Sequence, residues 1–181
     1  MAKLIPSGRM PEFRYDTPFA KNLSMAETAA AASGKTALVF LRYYGCTLCQ
    51  LDLHSYKENY QRITAGGGQL LVVLQSDPDK LSQELTRDSF PFAIVCDPQK
   101  NLYRDFEIAP ASSKLGLADL KTVKKIMKAK KSGFTHGECE GEELQLPAAF
   151  VVDREMNLQQ VHYGKSAADV PDADTLAAWL R

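Results

Sequence analysis

Cys46 and Cys49 stand two residues apart in the stretch Leu41-Arg42-Tyr43-Tyr44-Gly45-Cys46-Thr47-Leu48-Cys49-Gln50. No other residues in the chain have types and spacing so well suited to chemistry. They follow an apolar, strand-like run and open an amphipathic helix. A helix start offers unpaired backbone N–H groups and the positive end of a dipole, both of which favour thiolate over thiol. The second sulfur lies about one helical turn away, near enough to close a disulfide. The chemistry expected of such a pair is reversible dithiol–disulfide exchange. Metal binding and inert packing are the alternatives.

The two sulfurs are not equivalent. Cys49, Leu53, Tyr56, Tyr60 and Ile63 fall at steps of four, three, four and three, which is one buried helical stripe. Cys46 precedes that stripe, at or before the first turn. Its pKa should fall from the free value of about 8.5 toward neutrality. Cys46 is therefore read as the outward, attacking sulfur and Cys49 as the buried, resolving one. Arg42, at the end of the preceding strand, either adds positive potential or is a solvated strand-end charge. Tyr43, Tyr44, Gly45 and Thr47 form the rim, where the aromatic rings serve equally well as packing.

Elements of alternating type must position this pair. Thr36–Leu41 reads as a strand buried on both faces, followed by the helix from Thr47 to a stop at Gly66-Gly67-Gly68. Gln69–Leu74 is a second buried strand. Asp77-Pro78 caps a helix through Leu85. Phe92–Cys96 is a third strand, with a short helix through Phe106. Residues 107–145 interrupt the alternation with a lysine-rich helix over 118–131 and a polar loop. Pro147–Asp153 and Leu158–Tyr163 form a hairpin, and a last helix is marked by Leu176, Trp179 and Leu180. Upstream, Phe13-Arg14-Tyr15 suits a short strand and Met25–Ala32 a helix. This order describes one domain over 1–181, a three-layer α/β/α sandwich with a mixed central sheet and a helical insertion at about 107–145.

Composition narrows the class. The chain of 181 residues is 45% hydrophobic and carries 22 basic and 22 acidic residues, so neither nucleic acid nor an anionic membrane is the expected partner. No apolar stretch approaches the roughly 18–20 residues of a membrane span. The N-terminal residues lack the apolar core of a secretory signal. Four cysteines in that setting suggest a reducing, cytoplasmic environment rather than a disulfide scaffold.

Cys96 ends a buried strand and reads as a core thiol. Cys139, in the acidic loop Gly137–Glu143, is expected to be exposed; it suits a second resolving thiol, although its acidic neighbours disfavour a nucleophile. With His136, Cys46 and Cys49 it also supplies four residues of zinc-ligand type, if the loop folds over the site. His54 and His162 show no pairing. Lys121, Lys124, Lys125, Lys128, Lys130 and Lys131 form a basic helix whose apolar side is expected at Val123, Ile126 and Met127. A solvated face is the plainer reading and a docking surface for an acidic redox partner the sharper one.

With Leu38–Arg42 before Gly45-Cys46, Cys96-Asp97-Pro98 followed by Leu102-Tyr103, Leu146-Pro147 through Asp153, and Gly164 with Asp169–Asp172, residues 11–181 resemble the thioredoxin fold. More narrowly they resemble the peroxiredoxin-like branch of the alkyl hydroperoxide reductase/thiol-specific antioxidant superfamily. Peroxidases of that superfamily carry P-x-x-x-T-x-x-C and a distant arginine beside the reactive sulfur. Aligning their peroxidatic cysteine with Cys49 puts Cys46 at the threonine, Arg42 at the proline and Pro147 at the arginine. That pattern is similar to thioredoxin-like dithiol enzymes, in which the proline is typically cis and faces the disulfide. The resemblance thus implies a site of Cys46, Cys49, Pro147 and Arg42, with Leu146 beside it to pair with an extended substrate.

The implied activity is thiol-dependent oxidation–reduction of protein disulfides or hydroperoxides, with no bound cofactor. Electrons would come from a cellular thiol reductant such as a thioredoxin system, and a homodimer is compatible. On a peroxidase the roles of the two sulfurs invert. A non-catalytic redox sensor or partner-binding module with the same disulfide switch is the alternative.

Overall fold

The computed structural model describes residues 3–181. Its elements, in chain order, are β1 (Arg14–Thr17), β2 (Ala20–Ser24), α1 (Met25–Ala31), β3 (Thr36–Phe40), α2 (Thr47–Glu58), α3 (Tyr60–Ile63), β4 (Gln69–Leu74), α4 (Pro78–Glu84), β5 (Ala93–Cys96), α5 (Asn101–Asp105), α6 (Lys114–Leu117), α7 (Leu120–Lys131), β6 (Ala148–Val152), β7 (Leu158–Tyr163) and α8 (Ala173–Trp179). The strands form one mixed seven-stranded sheet in the order β2-β1-β5-β4-β3-β6-β7. β3, β4 and β5 run parallel, whereas β1 and β6 pair antiparallel to β5 and β3.

β3 lies at the centre and is buried throughout. Its alternate residues serve opposite faces, as a pleated strand requires. Ala37 and Val39 join Val72, Leu74, Leu53, Tyr56, Leu81 and Leu176 in one apolar layer. Leu38 and Phe40 join Leu71, Val73, Phe150, Met25, Tyr103 and Phe106 in the other. The second layer is locked by edge-on rings around Phe40, whose centroid lies 5.2 Å from Tyr103 and 5.6 Å from Phe150. The Tyr103 hydroxyl lies within hydrogen-bond distance of the carbonyls of Leu41 and Val73 (2.5 and 3.0 Å). That fixes the backbone immediately before Arg42.

The helix expected from Thr47 to the glycines is broken at Asn59, whose φ/ψ of −108°/12° separates α2 from α3. Both pieces keep the buried stripe. α7 departs further from expectation. Val123 and Met127 are 49% and 59% exposed, and the buried positions are Thr122 and Ala129. The reason is electrostatic. Asp52 on α2 is buried, and a carboxylate there needs a cation. Lys125 supplies it at 2.6 Å, and α7 is turned so that Val123 and Met127 face outward while Ile126 packs against the core.

Candidate active site

The site forms where β3 ends and α2 begins. Cys46 is the N-cap of α2, in extended conformation (φ −72°, ψ 122°), and its sulfur accepts the Cys49 amide at 3.4 Å. The backbone is tied on both sides: Cys46 N donates to Tyr43 O at 3.2 Å and Gln75 N to Arg42 O at 2.8 Å. Arg42 then folds back over the helix start. Its Nη2 donates to Cys46 Sγ at 3.0 Å and its Nη1 to the Glu143 carbonyl at 2.9 Å. The Arg42 amide donates to Cys49 Sγ at 3.4 Å.

The environments push the two thiols apart. The hydrogen bond from the Cys49 thiol, the guanidinium and the Leu48 and Cys49 amides together outweigh burial and draw the Cys46 pKa down to about 6. Burial is the first cause on Cys49, and the adjoining Cys46 adds to it, so Cys49 is held well above an ordinary thiol and keeps its proton. One thiolate beside one thiol is the resting state such a pair needs for exchange.

The site is also covered. Cys46 is only 1% exposed and Cys49 3%. The sequence leads one to expect Cys46 outward; it is instead roofed by residues 133–145 of the insertion. Gly137 N donates to Gly45 O at 2.8 Å. A Cβ on Gly45 would lie 2.4 Å from Glu138 O, so only glycine permits this approach. Gln50 Nε2 holds Thr135 O at 3.1 Å, and Tyr43 OH meets His136 Nε2 at 3.2 Å. Glu140 accepts from Ser76, and Lys80 pairs with Glu138 and Glu140 at 2.5 and 3.5 Å. The Glu142 amide donates to Gln75 Oε1 at 2.7 Å, yet Gln75 Nε2 is buried without a partner.

The remaining expected residues take these places. Tyr43 is buried; its hydroxyl is held protonated first by burial and then by Cys139 beside it. Tyr44 is half-buried, its amide on Ser76 Oγ at 2.9 Å. Thr47 is the half-buried first residue of α2. Pro147 is buried one step beyond the Phe40–Ala148 pair, at the same end of the sheet as Arg42, and its carbonyl accepts from Gly164 N at 2.8 Å. Its peptide bond with Leu146 is trans, the form most X–Pro bonds take, contrary to the cis geometry implied by thioredoxin-like dithiol enzymes. Leu146 is half-buried, and its carbonyl accepts from Gln145 Nε2 at 3.2 Å. Cys96 is buried and its thiol pushed up to about 12 by burial. Cys139 is exposed. Among the described residues no three His, Cys, Asp or Glu side chains are grouped to hold a metal ion.

A cleft of about 280 Å³ runs along the roof's edge, lined by Tyr44, Gly45, Gln50, Lys80, Gly137 and Glu138 among others. The Asp52–Lys125 pair, which anchors the insertion to α2, is not legible in the sequence pattern. Asp52 lying three residues after Cys49, on the buried side of a helix, was the available signal.

The family model described as AhpC/TSA matches residues 8–161. The chain belongs to the AhpC/TSA family. Membership supports a thiol-dependent oxidoreductase role, of peroxidase or antioxidant type. The fold agrees with that of solved peroxiredoxins. The chain is similar to the Mycobacterium tuberculosis peroxidoxin BcpB, at 12% identity and TM-score 0.68, covering 97% of this chain and 96% of that one. It is similar to a reduced Plasmodium vivax 2-Cys peroxiredoxin, at 10% identity and TM-score 0.65, covering 95% and 78%. It is also similar to Enterococcus faecalis AhpC, at 14% identity and TM-score 0.65, covering 97% and 89%. Comparison with curated protein sequences gives no significant match. Among the described residues no helix is long and apolar enough to cross a membrane.

Proposed function

We propose that this AhpC/TSA protein is a cytoplasmic thiol peroxidase that cycles Cys46 and Cys49 between dithiol and disulfide. The observation that carries this is the Cys46 sulfur at a helix start, receiving one backbone amide and one guanidinium. The Cys46 thiolate, rather than Cys49 as the alignment with peroxidases implies, attacks the terminal oxygen of a hydroperoxide, because burial keeps the Cys49 thiol protonated. The O–O bond breaks, the alcohol leaves with a proton, and Cys46 becomes a sulfenic acid. The Cys49 thiol then displaces that hydroxyl as water and closes the disulfide. Two electrons from a cellular dithiol, such as a thioredoxin system, restore both thiols.

In this reading Arg42 supplies the positive charge that peroxidases of the superfamily take from a distant arginine. Pro147, Leu146, Tyr43, Tyr44, Gly45 and Thr47 shape the surrounding wall. The roof favours a small hydroperoxide over a protein disulfide as oxidant, because a 1% exposed sulfur admits a small molecule more readily. The test is consumption of hydrogen peroxide or an alkyl hydroperoxide with thioredoxin as reductant, beside reduction of a protein disulfide. Peroxide turnover abolished by Cys46→Ser supports the reading. Turnover with protein disulfide alone makes the protein a disulfide exchanger.

One observation favours a second reading, a redox sensor. α7 exposes Leu120, Val123 and Met127 at 81%, 49% and 59%, flanked by lysines, on the insertion that roofs the site. A partner bound through that face would sense the disulfide. Rapid oxidation with no turnover of either substrate selects this reading.

A further inference from the structure

Building on the proposed Cys46–Cys49 disulfide, we propose that Cys139 is the outlet of the site, a third cysteine that carries the disulfide from the covered pair to an external dithiol protein.

The need is one of access. Both sulfurs of the pair are almost wholly buried, at 1% and 3% exposure. A protein thiol attacks in line with the S–S bond and must touch one of the sulfurs, which the roof prevents. Cys139 alone of the four cysteines is exposed. It lies in the roof itself, where that segment crosses the site. The backbones meet at Gly45 and Glu138, and each cysteine follows its contact residue directly. One Cα–Cα step of about 3.8 Å separates each cysteine from that contact. The Tyr43 hydroxyl, three residues before Cys46, adjoins both Cys139 and His136.

The acidic neighbours that argue in sequence against a nucleophilic Cys139 point elsewhere. Glu138 and Glu140 both pair with Lys80, and Glu140 also accepts from Ser76. Glu142 turns back to the Leu144 amide at 3.0 Å. Each of these three carboxylates thus has a partner other than the Cys139 thiol, which itself donates to Gly141 O at 3.4 Å.

The exchange balances without an added reagent. The Cys139 thiol loses its proton and its sulfur attacks Cys46 Sγ. The Cys46–Cys49 bond breaks, the Cys46–Cys139 bond forms, and Cys49 takes up a proton. The external dithiol protein then attacks the exposed Cys139 sulfur. Cys46 leaves as the thiolate that Arg42 and the helix start stabilise, and a mixed disulfide joins Cys139 to the partner. The partner's second thiol displaces Cys139, so the partner is oxidised and all three cysteines are reduced.

The test uses the full chain with thioredoxin as the external dithiol. Peroxide-oxidised wild type and Cys139→Ser are mixed with thioredoxin, and the loss of the Cys46–Cys49 disulfide is followed by mass spectrometry. The expected result is a reduction rate at least about tenfold lower in Cys139→Ser, with unchanged thermal unfolding. A thioredoxin whose resolving cysteine is serine should be trapped on the Cys139 peptide of the wild type. Cys49→Ser, oxidised with one equivalent of peroxide, should join Cys46 to Cys139 within one chain. Equal reduction rates, a trapped adduct on Cys46, or a Cys139 bond only between two chains would each overturn the outlet. Absence of any Cys46–Cys49 disulfide in oxidised wild type would instead overturn the peroxidase reading beneath it.

Discussion

Replacing Arg42 with methionine isolates the guanidinium's share in making Cys46 reactive. The side-chain stem stays and the charge goes. In the structure Nη2 donates to Cys46 Sγ at 3.0 Å. A hydrogen bond to a charged group contributes about 1.5–3 kcal/mol, and one pKa unit corresponds to about 1.4 kcal/mol. Arg42 is half-buried, which places the expectation at the lower end of that range. Arg42→Met should therefore raise the Cys46 pKa from about 6 by about one unit. At pH 7 the thiolate fraction then falls from about nine-tenths to about half. The assay is the ultraviolet absorbance of thiolate against pH, taken as the difference from Cys46→Ser. Arg42→Lys keeps the charge without the planar fork and should lie between the two. A Cys46 pKa that stays near 6 in Arg42→Met would refute the assignment and leave the Cys49 thiol and the helix-start amides as the causes.

Three more outcomes follow from the same geometry. Gly45→Ala places a Cβ against Glu138 O and should lift the roof, which appears as faster alkylation of Cys46 and faster hydrogen exchange at Gly137; unchanged rates would show that the roof does not gate the sulfur. Lys125→Met leaves Asp52 buried and uncompensated, and should cost about 2–3 kcal/mol in urea denaturation, below the full value for a buried pair because both side chains keep some exposure; combining it with Asp52→Asn should recover part of that loss. The reduced protein should gain stability as pH rises from about 6 toward 8.5, because a lowered folded-state pKa stabilises above it and the benefit is lost as pH falls through it. Above about 8.5 the raised Cys49 and Cys96 thiols reverse the sign, since only the unfolded chain ionises there. Denaturation midpoints across pH, compared with Cys46→Ser, check both limbs.

The sequence reveals the elements that carry a periodic signal. The buried strands β3 and β4 and the hairpin of β6 and β7 are legible because their apolar runs are dense and bounded by turn residues. So is the start of α2, where the strand period gives way to the helical one at Cys46. β2 is not legible, since Lys21 and Asn22 are exposed on an edge strand and break the apolar pattern. α6 leaves Leu115 exposed and has no buried stripe to show.

Within the site, the helix start at Cys46 and the buried stripe through Cys49 and Leu53 are legible, but the expected outward Cys46 is not what forms, since both sulfurs are buried. The roof is not legible. It depends on Gly137 meeting Gly45, residues 92 apart in sequence, through backbone atoms that leave no side-chain signature. The facing of α7 is missed for a related reason. Periodicity chooses the apolar stripe, whereas the buried carboxylate of Asp52 outweighs it by drawing Lys125 inward.

The central claim is that the Cys46 sulfur attacks and Cys49 resolves. It is tested most directly by mass spectrometry after one equivalent of hydrogen peroxide, with Cys139→Ser as background so that the outlet cannot intervene. The account predicts a Cys46–Cys49 disulfide when both cysteines are present, a trapped sulfenic acid on Cys46 when Cys49 is serine, and no fast oxidation at Cys49 when Cys46 is serine. A sulfenic acid formed on Cys49 in the absence of Cys46 would contradict it.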